Sequence, residues 1–459
     1  MSWFRRTQTP PSSPTSVEKP LVSSINASKS SDMQPKRFRR GGNNPTGLNR
    51  FLNVVKPLKT AEKKKYRLLK GAEIGDLAMV KEALNDGADV NTRSDSGWTA
   101  LIISSIKGHV DIVRELLSGE GHPGALIDAT IEDDTLVSLY DEKNYGGITA
   151  LYVASVNGYL EVVRELLSGE GHQGAAVDAA DSHGMTPLYA ASAKGHVDVV
   201  RELLSGEGHQ GAAVDAAANS GFTPLHIASH KGHAEVVREL LLRGAVVDAE
   251  SNLSKTPLYI ASERGHLEVV RELLSGEGHP GALIDAALKH SSREPVYSEK
   301  DAKGATPLYV ASLEGHLEIV RELLSGEGHQ GAAVDAAAQG GITPLIIASW
   351  AGHFEVVKEL LARGAAVDAA MYDGTTPLII ASYVGHLEVV KELLFGEGHQ
   401  GAAVDAAKND GATPLKLAAT PEIKALLKQA MAASATGGRR RRTRRTRRTK
   451  RKASTRRKV

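Results

Sequence analysis

Residues 184–217 read Gly-Met-Thr-Pro-Leu-Tyr-Ala-Ala-Ser-Ala-Lys-Gly-His-Val-Asp-Val-Val-Arg-Glu-Leu-Leu-Ser-Gly-Glu-Gly-His-Gln-Gly-Ala-Ala-Val-Asp-Ala-Ala. In this stretch Thr186 offers a side-chain oxygen to a free N–H group at a helix start, and Pro187 suits the first helical position, where no donor is needed. Ala190 and Ala191 are expected to keep this helix thin enough for close packing. Gly195 can adopt the left-handed conformation that ends a helix, so a first helix is predicted between Pro187 and Gly195.

A second helix is predicted immediately afterwards. Val199, Val200, Leu203 and Leu204 recur at helical spacing and form one apolar face, whereas Arg201 and Glu202 are expected to remain in water. The small, turn-rich residues that follow predict a short hairpin-like finger. Since neither helix can bury its apolar face alone, the unit must pack against neighbours of its own kind.

The unit repeats along the chain. Thr-Pro-Leu or Thr-Ala-Leu occurs nine times, at spacings of 33, 37 or 50 residues, and weaker helical patterning from Ala61 indicates a degenerate first copy. The fold class predicted is therefore all-α, a solenoid of about ten helix-turn-helix units with short hairpin fingers. The triplets begin at Thr99, Thr149, Thr186, Thr223, Thr256, Thr306, Thr343, Thr376 and Thr413.

Residues 221–249 carry a family resemblance. Thr223-Pro224-Leu225-His226, Gly232-His233 and Gly244-Ala245 resemble the hallmark of the ankyrin repeat family, and the resemblance extends over about 66–430. It implies protein–protein binding in an inner groove, lined by finger tips and by residues just before each helix-ending glycine. At the position of His226 most other copies carry Tyr or Ile, which is expected to exchange one inter-repeat hydrogen bond for buried apolar area. These residues include Tyr152, Tyr189, Tyr259, Tyr309, Ile346 and Ile379.

Charge divides the chain into three parts. Residues 1–60 hold 11 Lys/Arg against 2 Asp/Glu, residues 439–459 hold 14 Lys/Arg and no acid, and residues 61–438 have a net charge of −21. The domains predicted are a disordered basic segment at 1–60, the repeat array at 61–430 and a disordered Arg-rich tail at 431–459.

Several kinds of chemistry are not expected. The chain has no cysteine, which excludes disulfides and thiolate chemistry, and neither a signal peptide nor a membrane span is predicted. Six Gly-Glu-Gly-His segments match a nucleotide-binding glycine pattern, but they follow helices instead of strands, so mobile solvated loops are predicted. A histidine after the helix-ending glycine is replaced once by Tyr159, which favours a structural role. We expect no enzyme, cofactor or metal.

Candidate protein-binding residues are those that vary between otherwise near-identical copies. They lie just before the helix-ending glycine or at the finger tips, where ankyrin repeats hold partners. Ile342, Trp350, Tyr372 and Tyr383 are apolar or aromatic on adjacent units, a composition typical of interface hot spots; packing between repeats is the alternative. The candidate set is Trp98, Phe222, His230, Leu313, Ile342, Trp350, Tyr372 and Tyr383.

The C-terminal run is the second candidate site. Such a density of cations predicts binding to phosphate polymers with steep salt dependence, or to a nuclear import receptor. An anionic membrane and the acidic array itself are the remaining alternatives. The residues are Arg439, Arg440, Arg441, Arg442, Arg444, Arg445, Arg447, Arg448, Lys450, Arg451 and Lys452.

Together these features predict a monomeric, non-enzymatic adaptor in the cytoplasm or nucleus. Its array would hold a protein partner, and its tail would deliver the complex to the nucleus or to nucleic acid. The alternative is a nucleic-acid-packaging or chromatin-associated protein in which the tail is primary and the array a spacer. Long arrays of near-identical units with Arg/Thr-rich tails are similar to those of giant DNA viruses, for which the compartment would be the host cell.

Overall fold

The computed structural model describes residues 60–131, 146–169, 172–289, 303–326 and 329–433. These residues form ten units, each a first and a second helix, and their strand content is limited to two isolated β-bridges. The all-α solenoid is confirmed. In order, the pairs are Thr60–Ile74 and Leu77–Asn85, Ala100–Lys107 and Val110–Ser118, Ala150–Asn157 and Leu160–Ser168, Pro187–Lys194 and Val197–Ser205, Pro224–Lys231 and Ala234–Leu242, Pro257–Arg264 and Leu267–Ser275, Pro307–Glu314 and Leu317–Ser325, Pro344–Ala351 and Phe354–Ala362, Pro377–Val384 and Leu387–Phe395, and Pro414–Leu417 and 421–433.

The local signals act as predicted at both ends of the first helices. The Thr186 hydroxyl oxygen accepts the Tyr189 N–H at 3.2 Å, and Pro187 occupies the first turn. Gly195 ends the helix in the left-handed region, with φ at 78°. The other copies of the unit repeat this threonine cap, so the triplet sets where each unit begins.

From unit 2 onwards the first helices pack mainly against one another, whereas each second helix packs more against the first helix of its own unit than against the next second helix. First helices approach one another more closely than second helices do, which places the first helices on the inner side of the array. Val199, Val200 and Leu203 of the second helix are buried, as their spacing predicts. The described helices include none that combines the length and the apolar character needed to cross a bilayer.

The expectation that Arg201 and Glu202 lie in water is correct for Arg201, whose side chain is 53% exposed, and wrong for Glu202. The Glu202 side chain is only 19% exposed and accepts from Arg164 of the preceding unit at 2.8 Å, while Arg201 pairs with Glu239 of the following unit at 2.9 Å. These ion pairs link the second helices of adjoining units, in addition to the apolar contacts between them. The remaining pairs are Lys81–Glu115, Arg114–Glu165, Arg238–Glu272, Arg271–Glu322 and Arg321–Glu359.

In units 3 to 8 a histidine clamp joins the helix-ending glycine to the next unit. The His233 ring lies against Gly195, where an added Cβ would come within 2.7 Å of it, and its Nε2 contacts the Ala193 carbonyl oxygen at 3.2 Å. This geometry confirms the structural role predicted for the histidine position. The same contact recurs at His196, His266, His316, His353 and His386, onto the carbonyls of Val156, His230, Glu263, Leu313 and Trp350.

An Asx clamp, named for its Asp and Asn acceptors, joins the units on the opposite edge. The Asp248 carboxylate accepts the Leu283 N–H at 2.9 Å, and Asn91 performs the same function for Leu126 at 2.8 Å. The clamp is kept whether the unit has 33, 37 or 50 residues. Its other members are Asp128–Ala176, Asp178–Ala213, Asp215–Val246, Asp285–Ala333, Asp335–Ala366 and Asp368–Ala403.

The fingers close on themselves and bond to one another. In unit 5 the Ala218 N–H donates to the Phe222 carbonyl at 2.9 Å, and the Asn219 N–H donates to the His183 carbonyl of unit 4 at 2.8 Å. The 50-residue units keep the same base, because Ile131 bonds to Ile148 at 3.1 Å and Leu288 bonds to Ala305 at 3.1 Å. The added segments between those bases lie outside the described residues.

The Gly-Glu-Gly-His loops differ from the solvated loops expected. Their histidine rings are half-buried, and Nδ1 donates to the next carbonyl at 2.7–3.0 Å, as His122 does to Pro123. In the described part of the chain, the Nε2 atoms are buried without a hydrogen-bond partner. No group of three or more metal-ligating side chains occurs among the described residues.

Candidate functional site

The variable positions converge on the inner side of the array. We call this surface the groove face: the residues directly before the threonine caps and those two places before the helix-ending glycines. Met185 and Ala193 occupy these positions in unit 4, and Ile342 and Trp350 occupy them in unit 8. In units 3 to 8 the backbone at the second position is held in place, since its carbonyl receives the histidine of the next unit. The side chains at this position therefore differ between units, while the backbone that carries them keeps the same contact.

In units 7 to 9 the groove face is an apolar surface. Leu313 and Ile342 are 7% and 3% exposed, so a partner could contact little of either side chain. Both belong to the buried cluster beneath the groove face. Trp350 and Tyr383 are half-buried and pack against the same cluster, which leaves part of each ring accessible. Of the four residues on adjacent units, the structure places these two in the strongest position to contact a partner.

Tyr372 stands apart from that cluster. It lies at the finger of unit 9, is 81% exposed, and its N–H donates to the Gly340 carbonyl at 2.9 Å. Its ring lies beside Gly341, where an added Cβ would be 3.1 Å away. It belongs to the finger edge, not to the floor of the groove.

The three remaining candidates lie in units 2 and 5. The Phe222 ring stacks on His226 with centroids 5.3 Å apart, and both Trp98 and Phe222 are half-buried. His230 is half-buried in unit 5, and burial together with the charges of Arg264 and Lys231 lowers the pKa of His230 to about 4. Among the described residues, the Trp98 indole N–H and the His230 Nδ1 are buried without a partner.

Polar side chains separate these regions in unit 6. Lys255 pairs with Glu263 at 3.3 Å, with side chains 12% and 11% exposed, and the ammonium lies 5.4 Å from the centre of the Tyr259 ring. Each charge is thus matched within the unit. The groove face is apolar in units 3 and 4, carries Phe222 and His230 in unit 5 and this ion pair in unit 6, and is mainly apolar again in units 7 to 9.

An open cavity of about 500 Å³ lies in the groove between units 3 and 5. Ala190 and Ala191 are both buried in the core, as expected, and Ala190 also lines this cavity. The sequence does carry the signal, because Ala190 and Ala193 are smaller than their counterparts in the flanking units. Two of its lining residues, Val156 and Met185, are positions that vary between the copies. The lining residues that were not expected to contact a partner are Ile148, Tyr152, Tyr189, Ala190, Ala193, Lys194, Ile227, Lys231 and His233.

The second candidate site, Arg439 to Lys452, lies outside the described residues, as do residues 1–59 and the extended fingers at 132–145 and 290–302. The predictions made for these segments therefore stay predictions.

Comparisons with known proteins agree with this architecture. A family model described as "Ankyrin repeats (3 copies)" matches residues 48–131, 68–169, 126–215, 209–286 and 277–371, and one described as "Ankyrin repeat" matches residues 373–409. The protein named "Ankyrin repeat, SAM and basic leucine zipper domain-containing protein 1" from Homo sapiens is 34% identical over 70 residues, as is its counterpart in Nomascus leucogenys. Each match covers 15% of this chain and 15% of the relative.

A solved structure is also similar to this chain. The crystal structure of the ankyrin repeat domain of Bcl-3, described as a unique member of the IkappaB protein family, aligns with a TM-score of 0.44 and 28% identity. The alignment covers 54% of this chain and 100% of that domain.

Proposed function

The chain belongs to the ankyrin repeat family, and we propose that it is a non-enzymatic scaffold whose groove face holds a protein partner. Repeats of this family generally mediate protein–protein interaction. In the proposed organisation, residues 61–430 carry the partner and the basic segments at 1–60 and 431–459 act outside the array. The protein would act as a monomer in the cytoplasm or the nucleus.

One observation supports the groove assignment above the others. The groove position two places before the helix-ending glycine varies freely in side chain, whereas in units 3 to 8 its carbonyl is bound by the histidine of the next unit. A surface with variable side chains on a rigid backbone is suited to recognition, because little ordering entropy is lost when a partner binds. Trp350 and Tyr383, half-exposed over a buried cluster, have the composition of a binding hot spot.

The test is the double variant Trp350→Ala/Tyr383→Ala in the full chain. Capture of partners from a host lysate, read by mass spectrometry, should lose the groove-dependent partners, with affinity reduced at least tenfold. The matched control is Phe395→Ala, which removes a half-exposed aromatic side chain from the second helix of unit 9. Circular dichroism establishes that all variants keep their helices. Partner capture that is unchanged in the double variant rules out this part of the groove.

For the tail we propose contact with nucleic acid or with an import receptor. The supporting feature is composition: 14 Lys/Arg and no acidic residue within residues 439–459. Such a segment neutralises phosphates and releases their counterions without base specificity. The same feature supports the second candidate function, nucleic-acid packaging or chromatin association, in which the tail is primary and the array is a spacer.

A further inference from the structure

The cavity in the groove is produced by two alanines that interrupt a regular pattern. At the position of Ala190 the neighbouring copies carry Val153 in unit 3 and Ile227 in unit 5, and units 6 to 9 carry Ile260, Val310, Ile347 and Ile380. At the position of Ala193 the same neighbours carry Val156 and His230. Unit 4 therefore presents two methyl groups where the others present bulky side chains, while the backbone of the unit is unchanged.

We call this feature the unit 4 notch, with Ala190 and Ala193 as its floor. Its walls are apolar and come from three units: Tyr152 and Val156 from unit 3, Tyr189 from unit 4 and Ile227 from unit 5. The volume of about 500 Å³ lies within the range of sites that receive ligand groups. Apolar walls on preformed helices favour a bulky aliphatic or aromatic side chain as the occupant.

The described charged residues that line the notch have one sign. Lys194 and Lys231 are exposed at its rim, and the described lining residues include no carboxylate. The nearby Asp181 is buried beneath the finger of unit 4, where its Oδ1 accepts the N–H groups of His183 and Met185, both at 2.9 Å. Two exposed ammonium groups above an apolar floor select for carboxylates beside the anchoring side chain and repel a cationic segment such as residues 439–459.

We propose that the unit 4 notch binds an acidic segment of a partner protein through one bulky apolar side chain, with Lys194 and Lys231 pairing with the flanking carboxylates. This inference rests on the proposed function of the groove face and names the chemistry that the face recognises. It concerns units 3 to 5, and so it can fail while the hot spot at units 8 and 9 stands.

The experiment selects peptides from a phage-displayed library of random dodecapeptides on the full chain and measures their affinities by fluorescence anisotropy. Ala190→Ile/Ala193→Val fills the notch with the residues that Ile227 and Val156 supply in the adjacent units, so the fold should tolerate it. Lys194→Glu/Lys231→Glu inverts the rim. Lys391→Glu, on an exposed second helix, is the matched charge control, and circular dichroism checks each variant for folding.

The selected peptides should be acidic and carry Leu, Met, Phe or Trp. Their affinity should fall at least tenfold in the filled variant and in the inverted variant, and should stay within twofold in Lys391→Glu. Peptides that are basic or lack an apolar side chain, or whose binding is unaffected by filling, would overturn the inference, as would the absence of any selected peptide. If binding survives filling but is lost in Trp350→Ala/Tyr383→Ala, the groove function stands and the notch assignment falls.

Discussion

A single histidine illustrates how one side chain can serve two units. The His226 side chain is fully buried, its Nδ1 accepts the Thr223 N–H at 3.1 Å, and its Nε2 donates to the Lys255 carbonyl of the next unit at 3.0 Å. The inter-repeat hydrogen bond expected from the sequence is therefore present. Burial lowers the pKa of His226 to about 4, so the ring is neutral in the folded protein above that pH.

This histidine predicts a pH dependence of stability. The pKa is about 4 in the folded chain, below the ordinary value of 6.5, so protonation favours the unfolded state. The stabilisation is complete above pH 6.5 and is lost as the pH falls towards 4, an effect of order 3 kcal/mol. His226→Tyr, which installs the residue found in neighbouring units, should reduce the loss of stability between pH 7 and 4.5 in urea unfolding.

His230 acts in the same direction and remains in that variant, so part of the pH dependence should persist. An equal fall in stability for the wild-type and His226→Tyr proteins would show that the ring at 226 does not titrate in this way.

At the scale of the element, the Asx clamp explains how units of unequal length share one geometry. The acceptor always lies one unit before its donor, and added residues are accommodated in the loop or finger between them. Burial raises the pKa of Asp248, which indicates that the carboxylate loses hydration when it is buried. The clamp requires an oxygen acceptor more than it requires a charge.

Two substitutions at Asp248 test that distinction. Asp248→Ala leaves the Leu283 N–H without its acceptor and should lower the free energy of unfolding by about 1–2 kcal/mol. Asp248→Asn should retain nearly all the stability, because Asn91 makes the same contact in unit 1 at 2.8 Å. Urea unfolding followed by circular dichroism measures both, and equal losses in the two variants would show that the charge itself is needed.

The sequence predicts what depends on neighbours along the chain. Thr186, Pro187 and Gly195 act through local backbone rules, so the helix bounds are predictable from one copy. What depends on the adjoining unit was missed: the pairing of Glu202 with Arg164 and the cavity over Ala190. Ala190 predicts only a thin helix until the side chains across the groove are known.

At the scale of the whole molecule, the array and the tail carry opposite charge. Residues 61–438 have a net charge of −21. On the second helices, arginine and glutamate side chains form ion pairs between adjoining units. The array should therefore repel phosphate polymers, and any binding to them should depend on the basic segments.

The tail proposal predicts a particular salt response. Binding of the full chain to duplex and single-stranded polynucleotides should weaken steeply as salt rises, and removal of residues 439–459 should flatten that slope and lower the affinity. A chain with the same composition but a shuffled tail is the control, and it should bind as the native chain does. Polynucleotide binding that has the same salt slope with and without the tail would exclude this mechanism.

The bases of the two long fingers have a practical consequence. In unit 3 the Ile131 N–H donates to the Ile148 carbonyl and the Gly147 N–H donates to the Ile131 carbonyl, the same pair of bonds that closes the short finger of unit 5. Lengthening the segment between these hydrogen bonds raises the entropic cost of closing the loop only slowly. The two positions are therefore natural grafting sites, where a foreign epitope, tag or small domain can be carried on a rigid rod without redesign of the repeats.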